Sequence, residues 1–284
     1  MSDLNLIKEL RVKTGAGFLD CKNALKENNN DIDSSIDSLR KKGLLKASKK
    51  SNREAKEGAV GFYYNDNLSI ILKINSETDF SAKSDTFLDF IELLGKAALD
   101  INDNQLNIEK FLVSKLGDKS ISDLLNEMIA KIGENLILSQ LEVYDIKKLN
   151  VNFYIHNPYR KNIGKIVSLA FYEGDNNNKD TINFTKNLCM HIAASKPEAM
   201  DIDQLSSQAI NNEKKIQSEM IKDSGKPSNV IDKILEGKMK KYYSEITLLN
   251  QNFVIDPDKT VKESIKEFKV SNNFKLIDYS IITL

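Results

Sequence analysis

The same order of elements occurs twice in this sequence. GAVGFYYNDNLSIILKIN, residues 58–75, reads as strand, Asn65-Asp66-Asn67 turn and strand, and a helical stripe from Phe87 through Ile91 and Leu94 to Ala98 follows it. NFYIHNPYRKNIGKIVSLAFYEG, residues 152–174, reads as strand, loop His156-Asn157-Pro158-Tyr159-Arg160-Lys161 and strand. It precedes a helix carrying Ile182, Leu188, Ile192 and Ala193. Neither hairpin can hide its apolar face unaided, so each half must pack helices on a mainly antiparallel sheet. The order implies an internal duplication and an α+β fold.

Other segments surround these halves. Three short helices are expected over residues 4–43, with stripes at Leu6, Ile7 and Leu10, at Leu19, Ala24 and Leu25, and at Ile32, Ile36 and Leu39. Gly15 and Gly17 break the first join, Asn28-Asn29-Asn30 the second, and Gly43 is the expected C-cap of the third. KKGLLKASKKSNREAK, residues 41–56, is basic and reads as a solvated linker, with an RNA- or ribosome-touching tether as the alternative. Residues 106–140 carry mostly helical spacing, with Leu124, Leu125, Met128, Ile129 and Ile132 inward. Two charge-rich helices in 203–243, parted by Ser224-Gly225-Lys226-Pro227, form a helical hairpin whose thin seam draws on Ile216, Met220, Val230, Ile231, Ile234 and Leu235. Thr260 or Asp258 caps a helix over Val261, Ile265 and Phe268, and a last strand, FKLIDYSIITL, follows. The expected divisions are 1–45, a linker 46–57, a core half 58–142, and a core half 143–284 that includes the hairpin and a C-terminal module.

Composition limits what such a chain can bind. Lys plus Arg and Asp plus Glu number 41 each among 284 residues, so no broad positive field exists for nucleic acid or an anionic membrane. Neither direct nucleic-acid binding nor membrane association is expected. Two cysteines far apart, Cys21 and Cys189, read as buried thiols in a reducing compartment. MSDLNLIKELRVKTG lacks the apolar core of a signal peptide and carries acidic residues foreign to a transit sequence, so a cytoplasmic location is expected.

Catalytic chemistry finds no foothold. The sequence has no Gly-rich phosphate loop ending in Gly-Lys-Ser/Thr, no dinucleotide fingerprint and no zinc-type motif. Thr14-Gly15-Ala16-Gly17 follows a helix where phosphate loops follow a strand, and so reads as a helix-to-helix turn. His156 and His191 fall in different segments with no nucleophile paired to either. No cofactor, metal or catalytic residue is assigned.

Five blocks, however, match one family in order. RVKTGAGFLDCKNALKE, ILKINSETDFSAK, CMHIAASKP, SGKP and ILEGKMKKYYSEITLLNQNFVIDPDKTVKE together resemble the signatures of the elongation factor Ts family, the guanine-nucleotide exchange factors of elongation factor Tu. The resemblance implies a UBA-like N-terminal three-helix domain, two related core subdomains, a protruding helical hairpin and a C-terminal module. It also implies binding to elongation factor Tu, GDP-bound and nucleotide-free, without a catalytic site of its own. Thr78, Asp79, Phe80 and Ser81 would intrude near the partner's Mg²⁺ and phosphate site, with Phe80 as the wedge. Gly15, Ala16, Gly17, Phe18 and Leu19 would face the partner's nucleotide-binding domain, and Val261 and Ile265 would return to it. Phe18 and Leu19 stand where the family usually has methionines, and Ser81 where valine is common. Pairing of two copies through the hairpin is open, and a ribosome- or RNA-associated module is the alternative function.

Overall fold

The structure, a computed structural model, describes residues 3–14, 16–222 and 227–284. It is an α+β protein whose chain divides into two compact units: Met1–Lys147 with Asn157–Ile166 and Ile282–Leu284, and Lys148–His156 with Val167–Ile281.

The first unit opens with helices α1 (Asp3–Thr14), α2 (Phe18–Glu27) and α3 (Ile32–Lys50). Ile7, Leu10, Cys21, Ala24 and Leu25 form their core, with Leu6, Ile32, Ile36 and Leu39 packed on it. Asn29 and Asn30 both take left-handed φ angles, 52° and 63°, which a short polar side chain tolerates and which turn the chain between α2 and α3. Two expectations fail here. Leu19 lies outside the core and is exposed. Gly43 does not end α3, which runs on to Lys50 through part of the expected linker. The reason is tertiary: α3 packs on α7 (Ile121–Ile132) at this position, where a Cβ built at Gly43 would meet that of Ala130 at an ordinary packing distance of 3.4 Å, and the helix continues through it. Nearby, Arg40 pairs with Asp123 at 2.7 Å, and Asp123 also closes the capping box of α7 with Ser120.

The sheet of this unit is built on β1 (Glu57–Tyr64) and β2 (Leu68–Ser76), antiparallel in register from Glu57↔Ser76 to Tyr64↔Ser69. Asn65 makes the turn, its Oδ1 accepting from the backbone N–H groups of Asn67 and Leu68 at 2.8 and 2.9 Å. After β2 come the single turn α4 (Asp79–Ala82), α5 (Asp85–Ile101), α6 (Ile108–Val113) and the two-residue strands β3 (Lys115–Leu116) and β4 (Lys119–Ser120), which lead into α7. The stretch 106–140 is mostly helical as expected, through α6 and α7, with Leu124, Leu125, Met128, Ile129 and Ile132 packed on the core. Only its last residues join the strand β5 (Ile137–Asp145), antiparallel to β2, and an expected boundary at 142/143 falls inside that strand. Within the sheet β2 lies between β1 and β5.

Helix α5 lays Phe87, Ile91, Leu94 and Ala98 on this sheet, all at most 1% exposed. Tyr63 of β1 fits where two glycines leave room. A Cβ at Gly95 would fall 2.1 Å from the Tyr63 ring, and one at Gly61 would fall 2.9 Å from it. The Tyr63 hydroxyl is buried without a hydrogen-bond partner, and burial pushes its pKa far up.

The second unit takes most of β6 (Asn150–Arg160) and β7 (Ile163–Gly174), then α8 (Lys179–Ser195), α9 (Ser207–Lys222), α10 (Ser228–Ile246), β8 (Asn252–Phe253), β9 (Asp256–Thr260), α11 (Val261–Ser271) and most of β10 (Phe274–Thr283). β7 is flanked by β6 and β10, and β6 pairs with β7 alone. The expected loop from His156 to Lys161 is thus mostly strand. Pro158 is compatible with it because an edge strand leaves one side of its backbone unpaired, and Asn157 adapts with a left-handed φ of 49°.

Phe184, Phe253, Phe268 and Phe274 cluster in the core of this unit, with Phe184 and Phe268 stacked at 4.2 Å. Ile182 departs from expectation and is exposed. In the α9–α10 hairpin Ile216, Met220 and Val230 are also exposed, against expectation, while among the described residues Ile221 and Met239 are the buried apolar positions. The Ser224-Gly225-Lys226 turn lies outside the described residues. Cys21 and Cys189 are both buried free thiols.

Two measurements follow from this packing. Gly95→Ala should destabilise the protein by about 1–3 kcal/mol in denaturant titrations despite alanine's better helix propensity, since the Tyr63 ring has nowhere to move. The second concerns His191, which is fully buried. Its Nε2 lies 3.0 Å from Gln251 Oε1 and its Nδ1 accepts from the Val254 N–H at 3.3 Å, an arrangement that needs the neutral ring. Burial lowers its pKa, and the Gln251 hydrogen bond only partly opposes this. The unfolded chain therefore takes up the proton more readily, and stability is lost as pH falls below the ordinary imidazole value of 6.5. Melting temperatures from pH 8 to 5 should stay level to about 7 and then fall, with a shallower fall in His191→Asn.

Candidate functional site

Of the twelve phenylalanines, only Phe80 and Phe18 are exposed, at 85% and 46%. Leaving such a ring in water forgoes about 1.5–3 kcal/mol of burial, so a local reason must hold it out.

For Phe80 the reason is the turn α4. Thr78 takes an extended conformation with ψ 155°, and its side-chain oxygen accepts from the Ser81 N–H at 3.3 Å, making it the N-cap. Asp79 sits in the first turn, where a carboxylate suits the helix dipole, and accepts a hydrogen bond from Lys83 Nζ at 2.8 Å. That bond holds the Asp79 carboxyl below its usual range. In so short a turn one side faces the core and the other faces water. Ala82 takes the inner place at 0% exposure, and Phe80 is left outside. Ser84 then starts α5 by accepting from the Phe87 N–H at 3.3 Å.

The turn is tied to a distant segment. Beyond the last paired residues of β2 and β5, two glutamates continue the ladder by exchanging caps. Glu134 Oε2 accepts from the backbone N–H groups of Glu77 and Thr78 at 3.1 and 3.0 Å, and its Oε1 accepts from the Thr78 hydroxyl at 2.7 Å. Glu77 Oε1 accepts from the Asn135 N–H at 2.6 Å in return. Burial raises the Glu134 carboxyl, but the hydroxyls of Thr78 and Ser81 and the two backbone donors outweigh it and leave it below its ordinary value. Sequence reading did not single out Glu134. Its partners lie 56 and 57 positions away, and nothing in the local pattern marks it.

Gly15 lies outside the described residues. Gly17 is the N-cap of α2 with no side-chain cap, and Ala16 packs against the bundle core. The Thr14 hydroxyl donates to the Leu10 carbonyl at 2.7 Å and accepts from the Ala16 N–H at 3.3 Å, fixing the turn. Phe18 and Leu19 then begin α2 on the surface, Leu19 at 67% exposure. At the other end of the chain the expectation must be corrected. Val261 and Ile265 are buried at 0% and 7% in the second core, because Thr260 caps α11 with that stripe turned inward. The outward apolar residue of this helix is Val270. Thus the structure brings Thr78, Asp79, Phe80 and Ser81 together around one exposed ring and withdraws Val261 and Ile265 from the surface. Among the described residues no helix is long and apolar enough to cross a membrane, and no group of three His, Cys, Asp or Glu side chains is disposed to hold a metal ion.

Comparison with known proteins agrees with the order of the sequence blocks. A family model described as "Elongation factor TS" matches residues 77–283. The protein named elongation factor Ts of Bartonella tribocorum is 38% identical over 265 residues, which is 93% of this chain and 86% of that protein. Its namesake in Allorhizobium ampelinum is 37% identical over 92% of this chain and 85% of its own. For that of Rhizobium meliloti the values are 36%, 94% and 86%. With this coverage at this identity, the chain belongs to the elongation factor Ts family.

Proposed function

We propose that this protein binds elongation factor Tu carrying GDP and promotes GDP release by disturbing the Mg²⁺ and phosphate site of that partner, so that GTP can enter. Phe80 is the wedge. The observation that carries the reading is a phenylalanine 85% exposed on a turn whose neighbours are all hydrogen-bonded into place.

The physical logic is linkage. A GTPase of this kind holds GDP through backbone donors of a phosphate loop and through a bound Mg²⁺, the largest local charge in the site. An exchange factor must therefore bind the empty partner more tightly than the loaded one, because coupling between two ligands is reciprocal. A planar ring with few rotatable bonds suits the task, since it buries much apolar area while losing little side-chain freedom. Thr78 and Asp79 would keep the turn intact and offer polar atoms beside the ring. Phe18 and Leu19, exposed at the start of α2, would form a second apolar contact. On this reading the protein has no catalytic site of its own, and α11 would contribute through its exposed face.

Phe80→Ala tests this. The melting temperature should stay within about 2 °C of the parent because the ring contacts little of its own chain. Acceleration of fluorescent-GDP release from elongation factor Tu should fall at least about tenfold, the rate equivalent of the lower end of a phenylalanine's burial energy. A variant that melts much earlier yet exchanges normally would place the ring in the core and remove it from the mechanism.

A further inference from the structure

Phe80 itself makes too few contacts to fix where it points, so the ends of its turn must do so. Thr78, at the front end, is held by three hydrogen bonds shared between its own backbone and hydroxyl, the Glu77 N–H and the single carboxylate of Glu134. Asp85, at the back end, is held by Arg160. The Arg160 guanidinium donates through Nη2 to Asp85 Oδ1 at 2.9 Å, and through Nη1 to Asp89 at 2.7 Å and Glu92 at 3.1 Å.

Three features separate the Arg160 contact from an ordinary surface ion pair, which contributes little. Its side chain is only 25% exposed, although Asp85 and Asp89 are 92% and 69% exposed. Asp85, Asp89 and Glu92 follow one another along one face of α5, so they repel each other and share this one cation. The guanidinium also rests on a firm base: the Phe62 N–H donates to the Asn162 carbonyl at 2.9 Å, fastening the β6–β7 turn to β1, and Tyr159 packs against the core of the same unit. A planar fork on a fixed strand end is suited to bridging several carboxylates.

We infer that Glu134 and Arg160 are positioning residues that bracket residues 79–84 and hold the Phe80 turn in one conformation before any partner arrives. The inference rests on the wedge reading of Phe80. Preorganisation of this kind removes the ordering cost that a loose segment would meet on binding.

The experiment is a double-mutant cycle on the full chain. Glu134→Ala and Arg160→Ala are made alone and in the Phe80→Ala background, with Arg160→Lys as the conservative variant, and fluorescent-GDP release from elongation factor Tu is followed at saturating exchange factor. Each alanine variant should lower the release rate on the order of tenfold when Phe80 is present and by less than about twofold when it is absent. Arg160→Lys, which keeps a cation, should recover part of the rate. In the free protein the amides of Ala82, Lys83 and Ser84, bonded to Thr78, Asp79 and Ser81 carbonyls, should exchange with deuterium at least about fivefold faster in both alanine variants. Equal losses in the two backgrounds would overturn the inference, as would unchanged rates in single variants while Phe80→Ala is impaired. If Phe80→Ala is unimpaired, the wedge reading itself falls. Amide exchange then decides the bracket alone, with faster exchange supporting it and unchanged exchange overturning it.

Discussion

Burial of β2 on both faces is the constraint from which the first unit follows. Every residue of this strand except Lys73 is buried, and it pairs with β1 on one side and β5 on the other. A strand so enclosed is paired along its length on both sides, with one irregularity against β5 between Lys73 and Ile74, so its register cannot slip without turning a full set of side chains the wrong way. Where the ladder stops, the chain must supply donors and acceptors from elsewhere. Glu77 and Glu134 do so for each other, and the Phe80 turn starts at that point. Core and exposed ring are thus parts of one hydrogen-bonding sequence.

Much of this could be read from the residues. The Asn65-Asp66-Asn67 turn, the two hairpins and the stripe of α5 follow from period-two and period-3.6 patterns, and Thr260 with Glu263 spells out a capping box. The readings that failed did so where distant packing overruled a local signal. Gly43 has the character of a helix stop, yet it lies where α3 packs beside Ala130 and the helix continues through it to Lys50. Ile137 and Leu138, at the end of the stretch expected to be mostly helical, suit more than one period, and pairing with β2 makes them part of a strand. Ile216, Met220 and Val230 have the character of seam residues, yet a thin two-helix hairpin has few inner places and Ile221 and Met239 are buried instead.

The site shows the same division. Thr78 as a cap and Phe80 as an oddity were legible, because a benzyl group among small polar residues breaks the local rule. Glu134 and Arg160 were not legible, since each meets its partners across more than fifty positions of chain. Val261 and Ile265 illustrate the opposite case. Their spacing announced an inward stripe, and the core holds them as that spacing requires.

The charges around the exposed turn have one more consequence. Asp79 and Lys83 lie on the same turn as Phe80, and Asp85 and Asp89 follow at once, most of them well exposed. Any casual hydrophobic visitor would have to strip water from these ions before reaching the aromatic face, and it would gain nothing in return. A sticky group can therefore stand in the open without inviting aggregation, because the toll at its doorstep is light only for a surface that answers those ions in kind.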